Sequence, residues 1–285
     1  MNVLVFDIET VPDVDAGRRL HGLNGLSDKE VADVMFHLRR QETGGSDFLR
    51  LHMQRIVAIS AVLRRRDAQG RADAKGSASV AGERSEGSRM PGATDTVKVW
   101  SLGEPDAPEQ ELVQRFFDGI ERFSPTLVSW NGGGFDLPVL HYRALVHGVV
   151  GRRYWDAGDD DRDFRWNNYL SRYHARHTDL MDVLSAYQSR ATAPLDQVAT
   201  LLGFPGKMGM SGALVWENYL NGNIAGIRNY CETDVLNTYL VYLRFELIRG
   251  HLSAEDYQAE CQLLRETLTK DNKPHLNEFL QAWIS

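Results

Sequence analysis

The stretch Val3-Leu4-Val5-Phe6-Asp7-Ile8-Glu9-Thr10 decides the architecture. Its β-branched and aromatic run reads as a strand buried on both faces, in the middle of a sheet. Side chains two apart on a strand share a face, so Asp7 and Glu9 aim at one spot while Ile8 turns into the core. Two carboxylates held that close at the end of a buried strand repel each other and lose hydration unless a cation sits between them. Oxygen-only donors of this kind suit Mg²⁺ or Mn²⁺. Alone, Asp-x-Glu reads as an ordinary strand end with one carboxylate capping a turn, so the weight falls on the rest of the chain.

With 285 residues the chain can bury a substantial core, as one domain with additions or a small helical appendage. No apolar run approaches the roughly 20 residues that a membrane-crossing helix needs. The opening strand carries acids and lacks a basic lead-in, so it reads as neither signal nor transit peptide. Cys231 and Cys261 lie in helical patterns without metal-ligand spacing, which fits a reducing, cytoplasmic setting and no membrane. A net charge of -7 argues against a protein that holds duplex nucleic acid mainly by charge. It leaves nucleic acid open as a substrate, because carboxylates grouped around metal ions contribute to that total and bound Mg²⁺ inverts the local field.

Outward from the first strand, Pro12 stops the ladder, and Ser27 with Glu30 forms a capping box opening a helix to about Gln41. Arg55 to Leu63 and Val97 to Ser101 read as hairpin strands. Between them, residues 64–96 carry almost nothing apolar and hold seven Lys or Arg against five Asp or Glu. That composition predicts a solvated, mobile insertion. A helix follows over Pro108 to Phe123, with Leu112, Phe116 and Ile120 on one face, then a strand over Thr126 to Trp130. Asn131-Gly132-Gly133-Gly134 is a permissive loop into a helix from Asp136 to about Val146. Residues 151–176 are aromatic and acidic without a period, and from Asp179 the pattern is almost entirely helical: Leu180 to Ser189, Pro194 to Leu202, Ser211 to Leu220, Asn223 to Arg249, Ser253 to Lys270, and a short final segment. Strands first and helices later predict an α/β fold, a mixed sheet flanked by helices with a mostly helical C-terminal part. The boundaries are one domain over residues 1–250 and a helical extension over 251–285.

Two further carboxylates stand out. Asp136 follows Phe135, which anchors the glycine loop and turns Asp136 toward the sheet's carboxyl end; it is equally placed to cap the helix it opens. Tyr230 and Asp234, four apart on a long helix, share a face. Asp-x-Glu on the first strand, Asn-x-x-x-Phe-Asp at the loop into a helix, and Tyr-x-x-x-Asp on a late helix, in that order, resemble the three motifs of the DEDDy 3′-5′ exonucleases. The likeness is to the proofreading exonuclease domain of family B DNA polymerases and its stand-alone relatives, and it spans about Val3 to Leu243, leaving the insertion and the tail after Gly250 uncovered.

The resemblance implies an RNase H-like fold and two-metal hydrolysis of phosphodiesters at the 3′ end of a single strand, DNA ahead of RNA, with Mg²⁺ or Mn²⁺ as cofactor. It implies metal ligation by Asp7, Glu9, Asp136 and Asp234, with Tyr230 orienting the attacking water. Thr10, Val11, Asn131, Phe135 and Lys207 are the expected substrate contacts, and a replication or repair protein is an expected partner. Tyr154, Trp155, Phe164, Trp166, Tyr169 and Tyr173 are expected to pack rather than stack on bases. Asp156, Asp159, Asp160, Asp161 and Asp163 read as a solvated loop, and Asp179 and Asp182 as helix-start residues without metal. The rivals are an idle binding module of the same fold, an exoribonuclease, and an RNase H-type endonuclease; the tyrosine four before the last Asp does not belong to the last of these.

Overall fold

In the computed structural model, which describes residues 2–65 and 95–284, five strands form one mixed sheet in the order β3-β2-β1-β4-β5. β1 (Val3–Pro12) is central. It pairs antiparallel with β2 (Gln54–Arg65), which pairs antiparallel with β3 (Thr96–Ser101). On its other side run the parallel strands β4 (Thr126–Ser129) and β5 (His177–Asp179). The pleat separates two cores. Val3 and Val5 face a cluster built from the C-terminal helices, whereas Leu4, Phe6 and Ile8 face one built from the middle helices. By that alternation Asp7 and Glu9 continue the Val3–Val5 face. The register slips by one residue between Glu9 and Thr10, and a bulge at such a place re-aims the side chains beside it.

Helices cover both faces. α1 (Val14–His21) and α2 (Asp28–Thr43) follow β1, and Ser27 and Glu30 make the expected reciprocal capping box at α2. α3 (Glu109–Phe123), α4 (Asp136–His147) and the short α5 (Arg152–Trp155) follow the sheet's hairpin half. After β5 come α6 (Leu180–Leu184), α7 (Leu195–Leu201) and α8 (Val215–Leu220). The 25-residue α9 (Ile224–Ile248) crosses the sheet and is buried almost all round from Cys231 to Phe245. α10 (Ala254–Asp271) and α11 (Pro274–Ala282) close the chain, and their Leu264, Leu268, Leu276 and Phe279 share one core with Val3, Val5 and α9.

Several boundaries depart from the sequence pattern for identifiable reasons. The expected insertion is shorter at both ends: β2 runs through Arg65 and β3 starts at Thr96, because Arg64 is buried and ion-paired to Glu260 of α10 and to Asp95. The rest of the expected insertion, residues 66–94, lies outside the described residues. α1 occupies a stretch that reads as merely polar, its start capped by Asp13 accepting from the Ala16 N–H. β5 is three residues long, too short to show a period. α6 stops at Leu184 instead of Ser189, since Ala186 and Tyr187 take positive φ of 51° and 61°. Ser211 begins a single 3-10 turn over Gly212–Leu214, and the α-helix starts only at Val215.

A buried ion network ties the middle helices to the end of β1. Arg143 of α4 reaches Asp13, just past β1, and Glu109 at the start of α3; Glu109 also accepts the Ile56 N–H at 2.6 Å. All three side chains are buried, so each charge depends on the others for compensation.

Candidate active site

β1, α4 and α9 converge on one place. Asp136 is the first residue of α4, and the preceding Phe135 provides no side-chain cap. Asp136 does not cap its own helix: its Oδ1 accepts the Ile8 backbone N–H at 3.1 Å, stitching the start of α4 to β1 between Asp7 and Glu9. From the opposite layer α9 presents Tyr230, Cys231 and Asp234. Cys231 lies with its Sγ 3.5 Å from the Asp7 carbonyl oxygen and 3.7 Å from Asp7 Oδ2. The Tyr230 phenol lies beside Asp234, close enough for each to shift the other's titration. Glu9 and Asp136 are buried, and Asp7 and Asp234 half-buried.

The electrostatics show a cluster of mutually repelling acids. Burial first, then the charges of Asp136, Glu9 and Asp234, push Asp7 well above the usual carboxylate range. Glu9 is raised in the same way by burial, Asp234 and Asp136, and its carboxylate accepts no hydrogen bond from any described residue. Burial raises Asp136 to about 7 against the Ile8 N–H it accepts, and the nearby Asp179 adds to the rise. Asp234 is raised by burial to about 6, moderated by the neighbouring Tyr230 hydroxyl and by Lys207. Burial beside Asp234 and Glu9 pushes the Tyr230 phenol up, so it keeps its proton at neutral pH. Hard divalent cations fit this donor set: four carboxylates converge, and Glu9, over nine-tenths buried, has no donor of its own.

The glycine loop is held by a residue that reads in the sequence only as a helix start. Asp179, at the end of β5, accepts the Asn131 N–H on Oδ1 at 2.9 Å and the Gly133 N–H on Oδ2 at 2.8 Å. The same carboxylate caps α6 through Met181 and Asp182. Asn131 takes φ 63°, and a Cβ at Gly132 would lie 2.2 Å from Ser129 Oγ, so only glycine lets the loop pass that close to β4.

A cleft of about 690 Å³ opens beside Glu9, and Thr10, Asn131 and Phe135 are among the residues that line it. Phe48 and Trp216 form further walls, with the Phe48 and Phe135 rings 5.8 Å apart. Those two escape sequence reasoning because Phe48 sits in a connection without pattern and Trp216 reads as one position on a helix face. Two expected contacts go elsewhere. Val11 is buried in the core with Ala58, Val215 and Ile227, because α8 and α9 cover its face of β1. Lys207 is exposed and off the cleft wall, acting on Asp234 only through its charge.

The acidic and aromatic stretch divides. Tyr154, Phe164 and Tyr169 are core residues, whereas Trp155, Trp166 and Tyr173 are exposed. Asp156 is not solvated: it is buried and accepts the backbone N–H groups of Gly158, Asp159, Asp160 and Asp161, which hold its carboxyl below the usual range despite burial. Asp182 pairs with Arg172 at 2.6 Å. Both cysteines are free.

A mixed five-stranded sheet between helical layers, with acids brought together at the end of its central strand, is an RNase H-like α/β fold of the polymerase-exonuclease type. Residues 46–283 match the family described as "Predicted 3'-5' exonuclease related to the exonuclease domain of PolB", and the chain belongs to that family. The matched stretch starts after β1 and runs on through α10 and α11, beyond the sequence motifs. Among solved structures the chain is similar to the family B DNA polymerase from the hyperthermophilic archaeon Pyrobaculum calidifontis. That similarity has 16% identity and a TM-score of 0.44, over 98% of this chain and 27% of the polymerase, so the chain spans about a quarter of that polymerase's length. No curated protein matches the sequence. Among the described residues no helix is long and apolar enough to cross a membrane.

Proposed function

We propose that this protein is a divalent-metal-dependent 3′-5′ exonuclease that hydrolyses the terminal phosphodiester of a single strand, DNA ahead of RNA. The observation that carries the reading is the convergence of Asp7, Glu9, Asp136 and Asp234 with raised pKa values and, at Glu9, no hydrogen-bond donor. These four side chains would hold Mg²⁺ or Mn²⁺, which supplies the positive charge that a phosphodiester and its attacking hydroxide both require. Tyr230 keeps its phenolic proton beside Asp234, and its oxygen lone pairs would accept a hydrogen bond from water and orient it. The walls of Phe48, Phe135 and Trp216 offer flat apolar surface to an unpaired base, which a duplex end presents only after fraying. Asn131 places an amide at the same cleft, within reach of sugar or phosphate.

The test is digestion of 5′-labelled single-stranded DNA, duplex DNA and RNA in Mg²⁺ and in Mn²⁺. The expected ladder shortens from the 3′ end, fastest on single-stranded DNA, and vanishes in Asp7→Ala and Asp234→Ala proteins that remain folded. Degradation at the normal rate by both variants, or opening of a circular single strand, would overturn the reading.

A further inference from the structure

An aromatic pair and an arginine stand in solvent on the flank of the edge strand β5. Tyr173 is 72% exposed, and Tyr187 is exposed as well. Their rings meet edge to face at 5.1 Å, and the Arg172 guanidinium lies 5.8 Å from the Tyr173 centroid and 5.2 Å from that of Tyr187. Sequence reasoning expects Tyr173 to pack in the core, where large aromatics ordinarily go. Tyr187 also sits in a backbone conformation that its residue type avoids: Ala186 and Tyr187 take φ of 51° and 61°, and strain of this kind gathers at functional surfaces. A 2.7 Å hydrogen bond from the Tyr187 N–H to the Asp182 carbonyl fixes it there, and the Asp182 carboxylate holds Arg172. The Asp182 N–H in turn donates to Asp179, the carboxylate that accepts the N–H of the cleft-lining Asn131. Asp179 and Asp182 thus join the cleft wall to the aromatic pair in two steps.

Charge on this flank runs against that of the whole chain. The net charge is -7, yet residues 165–190 hold four Arg and only two Asp. Both acids are engaged, Asp179 by backbone N–H groups and Asp182 by Arg172, while Arg165 and Arg190 are exposed. We propose that Tyr173, Tyr187 and Arg172 form a stacking platform for unpaired bases of the strand whose 3′ end enters the cleft, an inference that rests on the exonuclease reading. Every base has a π-face, so the platform tolerates any sequence, and a duplex, whose bases are already stacked, gains nothing from it. The arginine adds attraction for the strand's phosphates and a planar cation against the rings. The platform lies outside the cleft, so only a strand long enough to span both surfaces gains from it.

The test measures binding of 5′-fluorescein-labelled oligothymidylates to the full chain by fluorescence anisotropy, in EDTA so that the strand stays intact. The wild-type protein is expected to bind a strand of about 20 nucleotides about tenfold or more tightly than a tetranucleotide. Tyr173→Ala combined with Tyr187→Gly removes both rings, and glycine suits the positive φ at 187; this protein should bind the long strand no better than the short one. Tyr173→Phe combined with Tyr187→Phe should keep the wild-type preference, because stacking needs the ring and not the hydroxyl. A wild-type protein without the length preference, a preference that survives loss of both rings, or one that the phenylalanine pair also abolishes would overturn the proposal. The readout does not involve hydrolysis. A ring-dependent preference in a protein that cuts no strand sinks the exonuclease reading alone, and an active nuclease without that preference sinks this one alone.

Discussion

Replacing Asp136 by Asn should make the metal-free protein more stable at pH 8 while removing one of its convergent carboxylates. Asn keeps the Oδ1 acceptor that holds the Ile8 N–H, and it removes a buried charge. In the fold the carboxyl titrates at about 7, raised chiefly by burial from an ordinary value of 3.8. A group whose folded pKa lies above its unfolded one holds its proton more tightly in the fold. Its favourable contribution is therefore complete below about 4 and is lost as the pH rises through about 7. The gap amounts to about 4 kcal/mol. For a chain of this size that is a gain on the order of 5–10 °C in melting temperature for Asp136→Asn at pH 8. Little or no gain is expected at pH 4, where the wild-type carboxyl is already neutral. Thermal unfolding of both proteins in EDTA at the two pH values measures it. A variant destabilised equally at both, or a wild-type protein whose stability does not fall between pH 4 and 8, would refute the reasoning.

Other residues give sharper local expectations. Asp179→Ala frees the Asn131 and Gly133 N–H groups and uncaps α6, which should cost about 2–4 kcal/mol in urea unfolding; an unchanged midpoint would mean that the loop does not depend on it. Arg143→Ala leaves Asp13 and Glu109 buried without their cation and should cost about 3–5 kcal/mol, a loss that chemical denaturation would reveal or exclude. Tyr230→Phe keeps the ring and deletes the hydroxyl, and should lower kcat on single-stranded DNA about 10²-fold with KM little changed; wild-type kcat would remove Tyr230 from the mechanism.

The central strand was legible because its residues serve one purpose each: Val3 and Val5 for one core, Leu4, Phe6 and Ile8 for the other, and acids where the apolar run ends. The pairings of Asp7 with Glu9 and of Tyr230 with Asp234 follow from period alone, so secondary structure suffices to predict them. What stayed hidden depends on tertiary partners. Asp136 reads equally as a cap and as a site carboxylate, and only the arrival of β1 turns it onto the Ile8 N–H. Asp179 does cap a helix, yet its second task of splinting the glycine loop joins residues 46 and 48 positions apart, which no local pattern encodes. Asp156 looks solvated by composition, but four successive N–H groups fold back onto it. Val11 keeps the alternation of a cleft residue and loses the cleft because α8 and α9 lie over it.

The account depends most on a divalent ion being held jointly by the two layers, β1 and α9. A crystal structure of the protein soaked in Mn²⁺, with data collected for anomalous scattering, addresses this directly. The predicted map has a strong peak within about 2.0–2.3 Å of carboxylate oxygens from both Asp7 and Asp234. A map with no peak at these carboxylates, in crystals where Mn²⁺ is bound elsewhere, would contradict it.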